Sequence, residues 1–119
     1  MSENLKGKLR QFLKMVQEEH NVSLMVALKP DDSNLWDLVL GGQELDNQDY
    51  LKKFIALLNK ILVKEDLIQF SRMVLINSDA SFTTNFTGAF QVEGSDVELK
   101  NTRIDNVFIK EAHIFYSKK

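Results

Sequence analysis

The sequence has no cysteine, one proline, one tryptophan and two histidines in 119 residues. Lacking cysteine, the chain forms no disulfide, no thiolate zinc site and no thiol nucleophile. His20 and His113 stand far apart and show no His-x-x-x-His spacing, which excludes a helical zinc motif. Charge of either sign is nearly balanced, with a net of −2. No strong field is present to gather nucleic acid or an anionic membrane, so both are disfavoured as partners. Uninterrupted apolar runs are short, and none approaches the length of a membrane-crossing helix. Met1 to Arg10 lacks the apolar core of a secretory signal. By elimination the expected location is cytoplasmic, and the sequons at Asn21 and Asn85 are read as chance.

Glycine is scarce too, with five in all. Gly41-Gly42 precedes an expected helix, but the pattern is not G-x-G-x-x-G and no P-loop lysine follows. Glu44, Asp46 and Asp49 would also repel a phosphate there. No serine sits in a G-x-S-x-G elbow. These absences leave no catalytic residue, metal ligand or cofactor site to assign.

What is present suits a folded domain. Apolar residues make up 44% and charged residues 27%, ordinary for a globular chain. The length suits one domain with a sizeable core. No repeat, linker or low-complexity stretch divides residues 1–119, which are read as a single α+β domain.

Residues 3–19 predict an amphipathic helix. Leu5, Leu9, Phe12, Leu13 and Val16 share one face, and Ser2 is placed to cap it. Lys6, Lys8, Arg10 and Lys14 lie off that face and read as solvated. Val22–Leu28 alternates like a strand buried on one side and partly on the other. The turn signal Lys29–Asn34 then leads to a strand over Leu35–Leu40, so the pair predicts a hairpin. A second helix is expected over Asp46–Lys64, capped by Asp46, with Leu45 and Tyr50 forming a hydrophobic staple. Its apolar arc, from Tyr50 to Leu62, is wide enough to lie on a sheet and touch another element as well.

Glu65–Phe70 reads as a short helical turn. Ser71–Asn77 carries a continuous apolar run, which predicts a strand covered on both faces and central in the sheet. The strand–helix–strand unit over residues 35–77 implies a right-handed crossover. Phe82, Phe86 and Phe90 recur every fourth residue, so Ser78–Thr87 is read as a short helix capped by Ser78 or Asp79, with a loop or strand as the alternative that Ser81, Thr83, Thr84 and Thr87 favour. The tail is read as strands: Ala89–Glu93 and Asp96–Lys100 around Gly94-Ser95, a turn at Asn101–Arg103, then Ile104–Tyr116. A bulge near Lys110-Glu111 would bring Val107, Ile109, Ala112 and Ile114 to one face.

The predicted fold is α+β. A mostly antiparallel sheet of five or six strands carries two main helices on one face, in the order α-β-β-α-β-(α)-β-β-β. In element order alone the chain resembles small profilin-like interaction modules. The expected function is a non-enzymatic interaction module that binds a protein partner or self-associates, because strand edges in the tail can pair with another chain. The alternative is a small enzyme or ligand-binding protein. Its candidate binding residues are Trp36, Asp37, Arg72, Asp79 and His113. Trp36 is the only tryptophan and a natural recognition platform. Arg72 and Asp79 bracket the strand expected at the sheet centre, and strand ends of open sheets often carry function. His113 is expected on the outer face, because it alternates with Ala112 and Ile114. The acidic cluster Asp31, Asp32, Asp37, Glu44, Asp46 and Asp49 lacks the spacing of a calcium loop.

Overall fold

Leu5, Leu9, Phe12, Leu13 and Val16 recur on one face of helix α1 (Glu3–Gln17), and all five are buried. A computed structural model describes all 119 residues. In it Ser2 caps α1, its Oγ accepting the N–H of Leu5 at 3.1 Å. Strands β1 (Val22–Pro30) and β2 (Trp36–Gly42) form the expected antiparallel hairpin. Helix α2 (Gln48–Ile61) and the single turn α3 (Lys64–Leu67) lead to β3 (Phe70–Asn77), which runs parallel to β2. Helix α4 (Ser81–Ala89) precedes the hairpin of β4 (Val97–Ile104) and β5 (Val107–Ser117).

These five strands make one sheet in the order β3-β2-β1-β5-β4, antiparallel everywhere except between β2 and β3. Both faces of the sheet are covered. Met25, Ala27, Trp36, Leu38 and Leu40 pack under α1 and α2, with Phe12, Phe54 and Leu58. On the opposite face Leu24, Val26, Val39 and Ile114 pack under α4 through Phe86. The two main helices thus share one face, and the short α4 covers the other. This makes β1 fully buried on both sides along its middle, where the sequence indicates only partial burial of the second.

Several elements differ from the sequence expectation. The first is β3. Its run Met73–Ile76 predicts a central strand, yet β3 pairs only with β2 and forms the edge of the sheet. Nor is either face fully covered: Met73–Asn77 are all half-buried, Met73 and Leu75 against the α1–α2 core and Val74 and Ile76 against the opposite one. An apolar run does not report strand neighbours, because the other flank of β1 goes to β5.

The cap of α2 is Asn47, not Asp46. Its Oδ1 accepts the N–H of Asp49 at 2.8 Å and of Tyr50 at 3.4 Å, so Leu45 and Tyr50 no longer occupy staple positions. Helix α4 starts at Ser81 after an extended Ala80 rather than at Ser78. Its threonines are tolerated because Thr83 and Thr87 are buried with their hydroxyls donating to the carbonyls of Asn77 (2.8 Å) and Thr83 (2.9 Å). Phe82, Phe86 and Phe90 stack along the helix with centroids 5.6 and 5.4 Å apart.

The stretch Ala89–Glu93 contributes only one bridge, Val92 to Ser117, instead of a strand. The turn expected at Asn101–Arg103 lies inside β4. The hairpin turns at Asp105-Asn106 instead, both at positive φ (51° and 63°), the geometry of a two-residue primed turn. The bulge expected near Lys110-Glu111 is present: Lys29 and Pro30 of β1 oppose Glu111 and Ile109, leaving Lys110 as the extra residue. That extra residue lets Ile109 and Ala112 share a face despite opposite parity.

Candidate functional site: an open strand edge

The candidate residues from the sequence fall into three places. Trp36 and His113 come together under α1, with ring centroids 5.3 Å apart. His113 stands opposite Ala27, whose side chain points to the α1–α2 face, so it is interior and 1% exposed rather than on an outer face. The Lys110 bulge shifts its parity relative to the start of β5. Asp37 and Arg72 form a second group on the opposite, α4-covered side, where Arg72 Nε lies 3.3 Å from Asp37 Oδ2. Asp79 is alone and exposed in the turn after β3. The five do not converge on one pocket.

Around His113 the chemistry is quiet. Trp36 is 3% exposed and carries Lys29 Nζ 4.5 Å from its ring centroid. Glu111 holds the same lysine at 3.4 Å. Glu98 Oε1 lies 3.3 Å from His113 Nε2 but out of line for a hydrogen bond, and neither ring nitrogen has a partner. Burial pushes the His113 pKa down, and the carboxylate of Glu98 only partly offsets this. A neutral, enclosed imidazole without aligned partners has no substrate to reach. His20 is half-buried, packed edge-on against Tyr50 and Phe54 at 4.8 and 5.2 Å with Nε2 unpaired.

The basic residues of α1 are mostly engaged within the chain. Lys8 Nζ meets Asp66 at 2.8 Å, while Lys6 and Arg10 clasp Asp96 at 3.4 and 2.7 Å. Lys8 and the Val63 N–H hold the Asp66 carboxyl below its usual range although burial opposes this. Burial also raises Asp96, but Lys6 and Arg10 pull it down further. Beside Arg10 a cleft of about 400 Å³ opens between α1 and the Glu93–Ser95 turn, lined also by Lys14, Gln17 and Tyr116. Two of its charges are already neutralised, Arg10 by Asp96 and Glu93 by Lys118.

The feature that sequence reasoning missed is the outer edge of β3. The N–H of Ser78 donates to Gly42 O at 2.9 Å, so Ser78 faces β2. By strand alternation Ile76 and Val74 face β2 as well, and Met73, Leu75 and Asn77 turn their N–H and C=O groups outward. No strand covers them.

Two grooves flank this edge, an apolar one at its start and one at its end lined mostly by the polar Asp46, Asn47 and Gln48. Ile55 of α2 is 41% exposed. It borders a groove of about 230 Å³ with Leu67, Phe70 and Met73, at the start of β3. A second groove of about 260 Å³ lies at the other end, between Leu51 and Leu75. Leu51 and Ile55 are the part of the wide α2 arc that α1 leaves uncovered.

The opposite sheet edge is built differently. β4 exposes Glu98, Lys100 and Arg103, and Asn101 in its middle has φ 50°, which breaks the strand's regularity. Charge and a local kink are the usual protections against edge-to-edge pairing. β3 has neither proline nor lysine, and its one charge, Arg72, and its one irregularity, the extra Ser71 in its register with β2, both lie at its start, so Met73–Asn77 carries no such protection. The two edges of one sheet thus differ in kind: β4 is guarded and β3 is open.

Comparison of the chain with family models, with curated proteins and with solved structures yields no match.

Proposed function

We propose that this domain is a non-enzymatic protein-interaction module that receives an extended strand from a protein partner on the edge of β3. The observation that carries this reading is the difference between the two sheet edges. A strand added beside β3 would satisfy the outward N–H and C=O groups of Met73 and Leu75 and the N–H of Asn77, whose carbonyl already accepts from Ala80 and Thr83. Its alternate side chains would enter the grooves beside Phe70 and Leu75. Main-chain hydrogen bonds supply affinity in this mode, and the flanking pockets supply selectivity. The separation of Trp36 and His113 from Asp37 and Arg72 by the sheet favours this reading over a pocket built from all five candidates.

A photoreactive residue in place of Ser71, exposed on β3, tests the proposal against the same residue in place of Lys100, exposed on β4. In cells expressing the full chain, the Ser71 position should yield protein adducts and the Lys100 position should not. Equal labelling at both positions, or none at Ser71, would defeat the reading.

A further inference from the structure

We infer that the strand received by β3 is β3 of a second copy, paired antiparallel about a two-fold axis. This rests on the reading of β3 as an interaction edge and names its occupant. Charge is the first ground. Only two charged side chains bracket β3, Arg72 near its start and Asp79 just beyond its end, and their signs are opposite. Antiparallel pairing of two identical strands sets the start of each against the end of the other. Arg72 of each copy then meets Asp79 of its partner, and the pair is formed twice. A parallel arrangement would set like against like.

The side chains are free for this. Asp79 is exposed and takes part in none of the ion pairs of the chain. Arg72 leaves 67% of its side chain in solvent while its Nε holds Asp37. The remaining guanidinium donors suit a second carboxylate.

The backbone permits the same arrangement. Met73 and Leu75 offer outward N–H and C=O groups and Asn77 its N–H, its carbonyl being held by Ala80 and Thr83, so an axis at Leu75 pairs Leu75 with Leu75 and lets the Asn77 N–H donate to Met73 O. Arg72 then lies beside Ser78 of the second copy, next to Asp79. The axis also sets the groove at the start of β3 facing the groove at its end, which brings together the uncovered Ile55 and Leu51 of the two α2 helices. A stable interface needs roughly 1,200 Å² or more, so the pairing draws on the α2 contact as well as on the strands. The contact is isologous and closed, so it gives a dimer with one ten-stranded sheet and leaves the guarded β4 edges outside.

Sedimentation equilibrium of the purified full chain is the test. The wild-type chain should be a dimer. Asp79→Lys removes no internal contact and sets an ammonium against Arg72 of the other copy, so it should weaken the dimer roughly tenfold, or about 1.4 kcal/mol. Arg72→Glu should do the same, with its melting curve recorded because the new carboxylate also faces Asp37. Mixing the two variants should restore a heterodimer near wild-type strength. In that heterodimer the introduced glutamate of one copy meets the introduced lysine of the other, and the remaining native Arg72 meets the remaining native Asp79. If Arg72→Glu does not fold, the fall with Asp79→Lys and its reversal by lowering the charge conflict with Arg72→Gln carry the same test. A monomeric wild type, or a dimer indifferent to Asp79→Lys, overturns the proposal. Adducts at Ser71 with other proteins together with a monomeric chain would leave the edge reading standing and remove only the self-pairing.

Discussion

Replacing His113 by leucine should stabilise the protein. The imidazole is 1% exposed, sits beside Ala27 and Trp36, and has no aligned partner for either ring nitrogen. An unsatisfied buried polar group costs about 1–3 kcal/mol, and leucine of similar size removes that cost while filling the space. Allowing for imperfect shape, a net gain on the order of 1 kcal/mol is expected at pH 7. With roughly 2.1 cal/mol/K of unfolding entropy per residue over 119 residues, about 1 kcal/mol raises Tm by about 4 °C. The pH dependence is more diagnostic. Burial lowers the folded pKa of His113 below its ordinary 6.5. Lys6 and the amino group of Met1 act in the same direction, against Glu98 and Asp96. As pH falls through about 6.5 the unfolded chain takes up a proton that the folded chain refuses. Stability is then lost toward acid, at up to about 1.4 kcal/mol per pH unit, until the folded pKa is reached and the loss levels off. The carboxylates held below their usual values, Glu19, Asp66 and Asp96, lose their contributions only near pH 4 and lower. Urea unfolding of both proteins at intervals from pH 7.5 to pH 5 separates these windows. His113→Leu should abolish the slope below about pH 6.5. A flat wild-type profile there, or a leucine variant less stable by more than about 1 kcal/mol, would refute the reasoning.

Phe54→Ala should lower stability by about 3–5 kcal/mol, a fall in Tm on the order of 12–20 °C by thermal circular dichroism. Phe54 is 1% exposed and joins α2 to α1 through Phe12, 6.4 Å away edge-to-face. Two glycine substitutions should have opposite signs. A Cβ at Gly42 would lie 2.2 Å from Asn21 O and 2.7 Å from Leu45 Cδ1, so Gly42→Ala should cost at least about 1–3 kcal/mol. At Gly7, within α1, nothing lies within 4 Å, so Gly7→Ala should add about 0.5–1 kcal/mol through helix propensity. Chemical denaturation of both variants checks the pair, and equal signs would contradict this packing.

Helices and strands were legible wherever one period dominated. The five apolar residues of α1 report a single buried face, and the alternation of β1 reports one face well buried and the other partly; the structure buries them, β1 on both sides along its middle. Boundaries set by one hydrogen bond were less so. Asp46 and Asn47 are both good caps, and only the geometry of Asn47 Oδ1 toward Asp49 and Tyr50 decides between them. The tail illustrates a second limit. Asn101 and Asp105-Asn106 both carry turn chemistry and both adopt positive φ, yet one is a kink within β4 and the other is the hairpin turn. Register against β5 determines which, and register is a tertiary property. The Lys110 bulge was recoverable because the parity conflict between Ile109 and Ala112 requires an extra residue somewhere between them.

The strand edge escaped the sequence for a related reason. Apolar pattern along a strand records what lies above and below it, whereas its lateral neighbours are joined through backbone groups that every residue shares. β3 and β1 both carry apolar residues on both faces, although β1 has two strand neighbours and β3 has one. The informative residues were therefore the charges, read for position rather than for chemistry. In β4 they stand along the exposed strand as Glu98, Lys100 and Arg103. Around β3 they are cleared from the strand's middle and kept at its ends, as Arg72 and Asp79. A strand needing protection from its neighbours gains from charge along its length. For a strand that pairs with its own copy, central charge would be carried into the interface and terminal charge of opposite sign would fix direction. The distribution on β3 is of the second kind. The proposed two-fold pairing would also cover Ile55, exposed on α2, and the half-buried Leu51 one turn before it.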